Sequence, residues 1–154
     1  MHQGDMMESA SKLVSKDRFS RIDSISKLLA VLLAESKNYG YIDRLGYSQS
    51  RDLVVFYIRE ALRDFHSINN RGWKNERAKE KANEIDMDLI NKGIEDIART
   101  AGMRELRERV SLITAKALAI AAPLIKSRKE EEEKTKEEEE KSNLEASDFN
   151  IGGS

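Results

Sequence analysis

Apolar residues return every three to four positions through most of the chain, the spacing of helices that bury one side. Ile22, Ile25, Leu29, Leu32 and Leu33 predict a first helix over about Ser20–Lys37. Asp23 near its amino end and Lys37 at its carboxyl end both suit the helix dipole. Asn38, Tyr39 and Gly40 stop it, with Gly40 as a left-handed cap. The stretch Tyr41–Ser48 reads as an ordered loop or short turn. Ser50 caps a second helix, about Arg51–Ser67, with Leu53, Tyr57, Ile58, Ala61, Leu62 and Phe65 as its inward stripe. Asn69 to Gly72 is a turn signal. From Arg71 to Lys81 no apolar face emerges, and the segment reads as a loop, a marginal helix or a small hairpin ending in Glu84–Asp88. Asp88 then caps a helix over about Leu89–Ala101, with Ile90, Ile94, Ile97, Ala98 and Ala101 inward. A last core helix, about Met103–Leu124, buries Leu106, Val110, Ile113, Ala117, Ile120 and Ala121. Pro123 kinks or ends it, because proline lacks the amide donor and crowds the preceding turn.

These elements predict an all-α protein: a small bundle of four to five helices, with an irregular or hairpin insert around 68–87. A length of 154 residues suits one domain with appendages. Residues 1–17 read as a mobile amino-terminal segment, 18–125 as the helical domain, and 126–154 as a charged, low-complexity tail. Within the tail, Glu130 and Lys134, Glu132 and Lys136, and Glu137 and Lys141 stand at favourable i,i+4 spacing. An isolated solvated helix is therefore open to it, although it offers no apolar face to dock. Residues 143–154 read as disordered, with Phe149 and Ile151 as their only anchors.

Charge divides the chain where the pattern does. Residues 1–129 carry 24 Lys/Arg and 18 Asp/Glu, a net of +6, whereas 130–154 carry 3 and 10, a net of −7. A basic body points to a polyanionic partner. The acidic tail has three readings: a solubiliser, which is the default, a competitor for the basic body, or a contact arm for a basic partner. Charged residues make up 36% of the sequence, with one proline and no cysteine, a weak pointer to a hot organism. The chain starts without a basic segment leading into an apolar run, so no secretory signal is expected, and the apolar runs are too short to span a bilayer. A cytoplasmic location follows.

Catalytic chemistry finds little to stand on. Without cysteine there is no disulfide, thiol nucleophile or thiolate metal site. The histidines are His2, near the start, and His66, near a helix end where it suits the dipole; neither has a nucleophile or carboxylate at a recognisable spacing. Glu84, Asp86 and Asp88 alternate as hard-cation ligands can, but no calcium-loop pattern follows, and capping by Asp88 with two solvated neighbours is the plainer reading. Gly40 and Gly46 make no phosphate loop. Glu60 and Asp64 share a helix face but read as ion partners of Arg51, Arg59 and Arg63. No catalytic residue, cofactor or metal is expected.

Nucleic-acid chemistry has three candidate groups. Arg71, Lys74, Arg77, Lys79 and Lys81 surround Trp73, the only tryptophan. Arg104, Arg107 and Arg109 sit on the first turns of the last helix. Arg44 and Arg51 flank Tyr47. Cations neutralise phosphates with release of counterions, and aromatic faces stack on unpaired bases. Glu76, Glu80, Glu105 and Glu108 interleave with these cations, so an ordinary solvated surface is the competing reading.

Over Tyr39–Phe65, YGYIDRLGYSQSRDLVVFYIREALRDF, and again over Val110–Ala122, VSLITAKALAIAA, the sequence resembles the small subunit of archaeal type I-A CRISPR surveillance complexes. The resemblance covers about residues 20–125, and small helical subunits of type III complexes look similar. It implies a noncatalytic role in antiviral defence. Such a subunit sits among the other subunits of a guide-RNA complex and stabilises the opened target, or R-loop, through basic contacts to the DNA or RNA backbone, while base pairing supplies specificity. The alternative is a structural or regulatory helical module, such as a viral or plasmid factor, that binds another protein or itself through an apolar helix face and touches no nucleic acid. No membrane partner is expected.

Overall fold

The computed structural model describes residues 20–36 and 40–152, except for the side chains of 127–132, 135 and 141–152. The expectation for 1–17 lies outside the described residues. The protein is all-α. Six helices are described rather than four to five: α1 over 20–36, α2 Gly40–Tyr47, α3 Arg51–Arg71, α4 Glu76–Ala82, α5 Met87–Ala98 and α6 Met103–Gly152.

The added helices are α2, where the pattern predicts an ordered loop or short turn, and α4, which is the short helix among the three readings open to 71–81. Tyr41 and Leu45, four apart, are both buried, and that pair is enough to seat the two-turn α2. Gly40 is its first residue and not a left-handed cap. In place of a hairpin around 68–87, α3 continues to Arg71 and stops at Gly72, whose φ of 106° lies in the region glycine alone adopts easily. The short α4 then buries only Ala78 and Ala82. Two small residues on one face give no visible apolar stripe, yet they fit closely against a neighbouring helix.

Helix α1 is the centre of the bundle. From Ser24 to Glu35 every residue except Lys27 is buried, as expected of a helix surrounded on all sides. Leu28, Leu29, Val31, Leu32 and Leu33 account for much of the core, together with Val54, Ile58 and Phe65 of α3, Ile90, Ile94 and Ile97 of α5, and Leu106, Ile113 and Ala117 of α6. The α3 stripe is turned by one position from the expected one. Val54, Val55 and Ile68 are inside, while Leu53 is 42% exposed. On α5, Ala98 is exposed, as is Ala101 beyond it. The α6 stripe is as expected, with Leu124 added and Ile120 half-buried.

Helices α1, α3 and α6 run in one direction and α5 returns. Ser26 on α1 donates to the Ile113 carbonyl of α6 at 3.3 Å, and Ala30 and Leu33 pack farther along on Ala121. At the amino end of α3, Arg51 donates to the Thr100 carbonyl just before α6 at 3.2 Å. Beyond its carboxyl end, Asn75 donates to the Leu124 carbonyl of α6 at 3.2 Å. The bundle therefore has two ends, one at Arg51, Thr100 and Leu106, the other at Gly72, Asn75 and Leu124.

Pro123 does not end α6, which continues to Gly152, through the stretch read as disordered. One proline costs about 3 kcal/mol inside a helix. The Ala, Leu and Ile turns before it are packed on the core, and the Lys/Glu-rich sequence after it has high helix propensity.

Candidate nucleic-acid interface

The largest basic group, Arg71, Trp73, Lys74, Arg77, Lys79 and Lys81, lies at the second end of the bundle. Its backbone is fixed from both sides. The buried Glu35 carboxylate of α1 accepts the amides of Lys74 at 2.7 Å and Asn75 at 3.0 Å. Asn75 caps α4 by accepting from the Ala78 amide at 3.1 Å, while its own amide group reaches α6. With Ala78 and Ala82 turned inward, Arg77 and Lys79 face solvent. Arg71, Lys74, Arg77 and Lys79 make no ion pair among the described residues. Lys81 is engaged by Glu84 at 3.1 Å. Trp73 does not stand free: it is half-buried, its ring meets Phe65 edge-on at 5.8 Å, and its Nε1 donates to Asn69 at 2.7 Å.

Of the other candidates, Arg51, Arg104 and Arg107 lie at the first end, and Arg44 reaches the middle of α3. Arg44 on α2 sits over the rings of Tyr41 and Tyr57, 5.2 and 5.7 Å from their centroids, and donates to Glu60 at 3.0 Å. Arg51 is tied to Thr100. Arg104 approaches Glu108 at 3.6 Å but leaves its side chain 95% exposed. Arg107 is exposed with no ion pair or hydrogen bond among the described residues. Arg109, expected beside them, is structural: it donates to the Asp96 carbonyl at 3.0 Å, to Thr100 Oγ1 at 2.8 Å and to Glu105 at 2.8 Å. Asp96 in turn receives both hydrogen bonds of Arg21 Nη1, at 2.9 and 2.8 Å.

The structure thus brings the candidates together as two groups and not as one. Arg51 and Arg71 are separated by the length of α3, about 30 Å from the rise of 1.5 Å per residue, and Arg44 lies between them at Glu60. On a duplex that length corresponds to about nine base pairs, at 3.4 Å per charge on each strand.

Two features escaped the sequence pattern. Tyr47, 81% exposed, lines a groove with Arg107 of α6 and not with the Arg44 and Arg51 that flank it in sequence. On the outer face of α3, Phe56, 53% exposed, shares a stripe with Arg59 and Arg63. Glu60 is taken by Arg44, and Asp64 makes no ion pair among the described residues, so neither acid neutralises Arg59 or Arg63 as expected.

Other chemistry is thinner. Asp86, and not Asp88, caps α5, accepting from the amides of Asp88 at 2.9 Å and Leu89 at 3.4 Å. Glu84 is engaged by Lys81 and, at 3.7 Å, by Lys27. Lys81, by hydrogen bond and then by charge, holds the Glu84 carboxyl below its ordinary pKa of 4.5; desolvation opposes this and Lys27 adds to it. Among the described residues no three His, Cys, Asp or Glu side chains gather as a metal site, and no helix is long and apolar enough to cross a membrane.

A protein of Archaeoglobus fulgidus described as uncharacterized is 52% identical over 103 residues, which cover 66% of this chain and 89% of the relative. The chain belongs to that protein's family. No family model and no solved structure matches it.

Proposed function

We propose that the protein is a noncatalytic small subunit of a CRISPR RNA-guided interference complex, stabilising the opened target through basic surface residues. The observation that carries the reading is the group Arg71, Lys74, Arg77 and Lys79: four cations with no ion pair among the described residues, held on a backbone that Glu35 and Asn75 fix. Unneutralised cations on a fixed backbone suit phosphate contact, because no ion pair has to be broken to free them. The resemblance over about residues 20–125 supplies the type of complex, and the archaeal relative agrees with it in lineage only.

Affinity purification from the native host tests the reading. Guide RNA and further complex subunits are expected to co-purify, and their absence from a stoichiometric preparation would overturn it. A second reading has an observation of its own. Leu112 and Leu118 of α6 are 38% and 42% exposed, which suits a helical module that docks on another protein. Stable self-association without nucleic acid would favour that alternative.

A further inference from the structure

A groove of about 260 Å³ opens at the first end of the bundle, between the α2–α3 connection and α6. Val54, Leu106 and Val110 give it an apolar floor. Tyr47 stands on one side, 81% exposed and therefore contributing little to the core. On the other side Arg107, Ser111 and Thr114 follow one another along α6 at helical spacing and supply a cation and two hydroxyls. Thr114 donates its hydroxyl hydrogen to the Ser111 carbonyl at 3.0 Å, which leaves its oxygen free to accept.

We propose that this groove takes an unpaired base of a single-stranded nucleic acid, with the base stacked on Tyr47 and the adjoining phosphate on Arg107. A groove of about 260 Å³ leaves room for a planar base, with Arg107 on its lining to meet the phosphate. An exposed aromatic face, an unneutralised guanidinium and a rim of hydroxyl groups are what a base and its phosphate require, and stacking is indifferent to base identity. The inference rests on the nucleic-acid reading above but uses residues about 30 Å from the group that carries it.

The test compares the full chain's affinity for a twelve-residue oligothymidylate and for an abasic chain of the same length and charge. The intact oligomer is expected to bind about tenfold more tightly. Tyr47→Ala should bring the ratio close to one, and Tyr47→Phe should keep it. Equal binding of the thymidylate and abasic chains by the unaltered protein, or a ratio that survives Tyr47→Ala, overturns the groove assignment and leaves the backbone-binding reading standing. Retention of neither oligomer overturns both.

Discussion

Glu35, near the end of the central helix, accepts the backbone amide of Asn75 at 3.0 Å, and this bond joins the core to the most basic part of the surface. The same carboxylate accepts from Lys74, and Asn75 reaches on to Leu124. Removing the carboxylate leaves two amides without their partner, each costing about 1–3 kcal/mol where water cannot replace it. Glu35→Ala is therefore expected to lower unfolding stability by about 2–4 kcal/mol in denaturant titration. Glu35→Gln keeps one acceptor and should cost less. Equal stability of Glu35→Ala and the unaltered chain would remove the anchoring role.

Gly93 of α5 sets how closely α5 approaches α1. A Cβ there would stand 2.7 Å from Ile25 Cδ1 and 3.3 Å from the Arg21 carbonyl oxygen. Alanine gains about 1 kcal/mol in helix propensity, while overpacking a close-fitted site costs about 1–3 kcal/mol. Gly93→Ala should therefore destabilise by about 1 kcal/mol. Gly102→Ala, where a Cβ meets nothing within 4 Å, should be within about 0.5 kcal/mol of neutral. Matched melting curves for the two variants would contradict the packing described for α1 and α5.

Glu84 gives a pH dependence with a definite sign. Its folded-state pKa is depressed below 4.5, first by Lys81 and then by Lys27. The stability it contributes is present above its ordinary pKa and is lost as pH falls through the lower folded value. In an NMR titration of the Glu84 side chain, Lys81→Met should move the midpoint up toward 4.5. An unmoved midpoint would show that the pair does not form.

The existence of α3 and α6 and the inward face of α6 were legible because long runs of three-to-four spacing demand a helix, whereas Leu53 beside Val54 and Val55 left the face of α3 open by one position. The first residue of α3, the Ser50 cap and the inward residues of α6 all follow from that spacing. Helices α2 and α4 were not legible, since Tyr41 with Leu45 and Ala78 with Ala82 are single pairs without periodic company. Nor was the central place of α1: a helix buried on every side has no polar face to give its period away. Among the site residues, sequence identified the cations but not their partners. Arg107 and Arg109 are two apart, yet one is unengaged among the described residues and the other joins Asp96, Thr100 and Glu105. That difference depends on a carbonyl in the last turn of α5 and a hydroxyl just beyond it, brought close only by the fold.

The acidic arm leaves the bundle at the end that carries Arg71 to Lys81, because Asn75 is bonded to Leu124. Glu137–Glu140 are exposed and begin about 20 Å beyond Leu124 along the helix axis. That distance exceeds two Debye lengths at physiological salt, where one is about 8 Å, but lies within the ~30 Å of 0.01 M salt. Deleting 137–154 should strengthen polyanion binding in dilute salt and change it little at ~0.15 M. Equal strengthening at both ionic strengths, read by fluorescence anisotropy, would mean that the arm contacts the basic body directly.

The salt dependence of duplex binding tests the central claim most directly. For the full chain, the logarithm of the association constant should fall linearly with the logarithm of salt concentration. Each phosphate neutralised contributes about 0.9 to that slope. Replacing Arg71, Lys74, Arg77 and Lys79 together by glutamine should reduce the slope by about three to four without lowering the melting temperature. A slope near zero for the unaltered protein, or the same slope in the quadruple variant, would contradict the account.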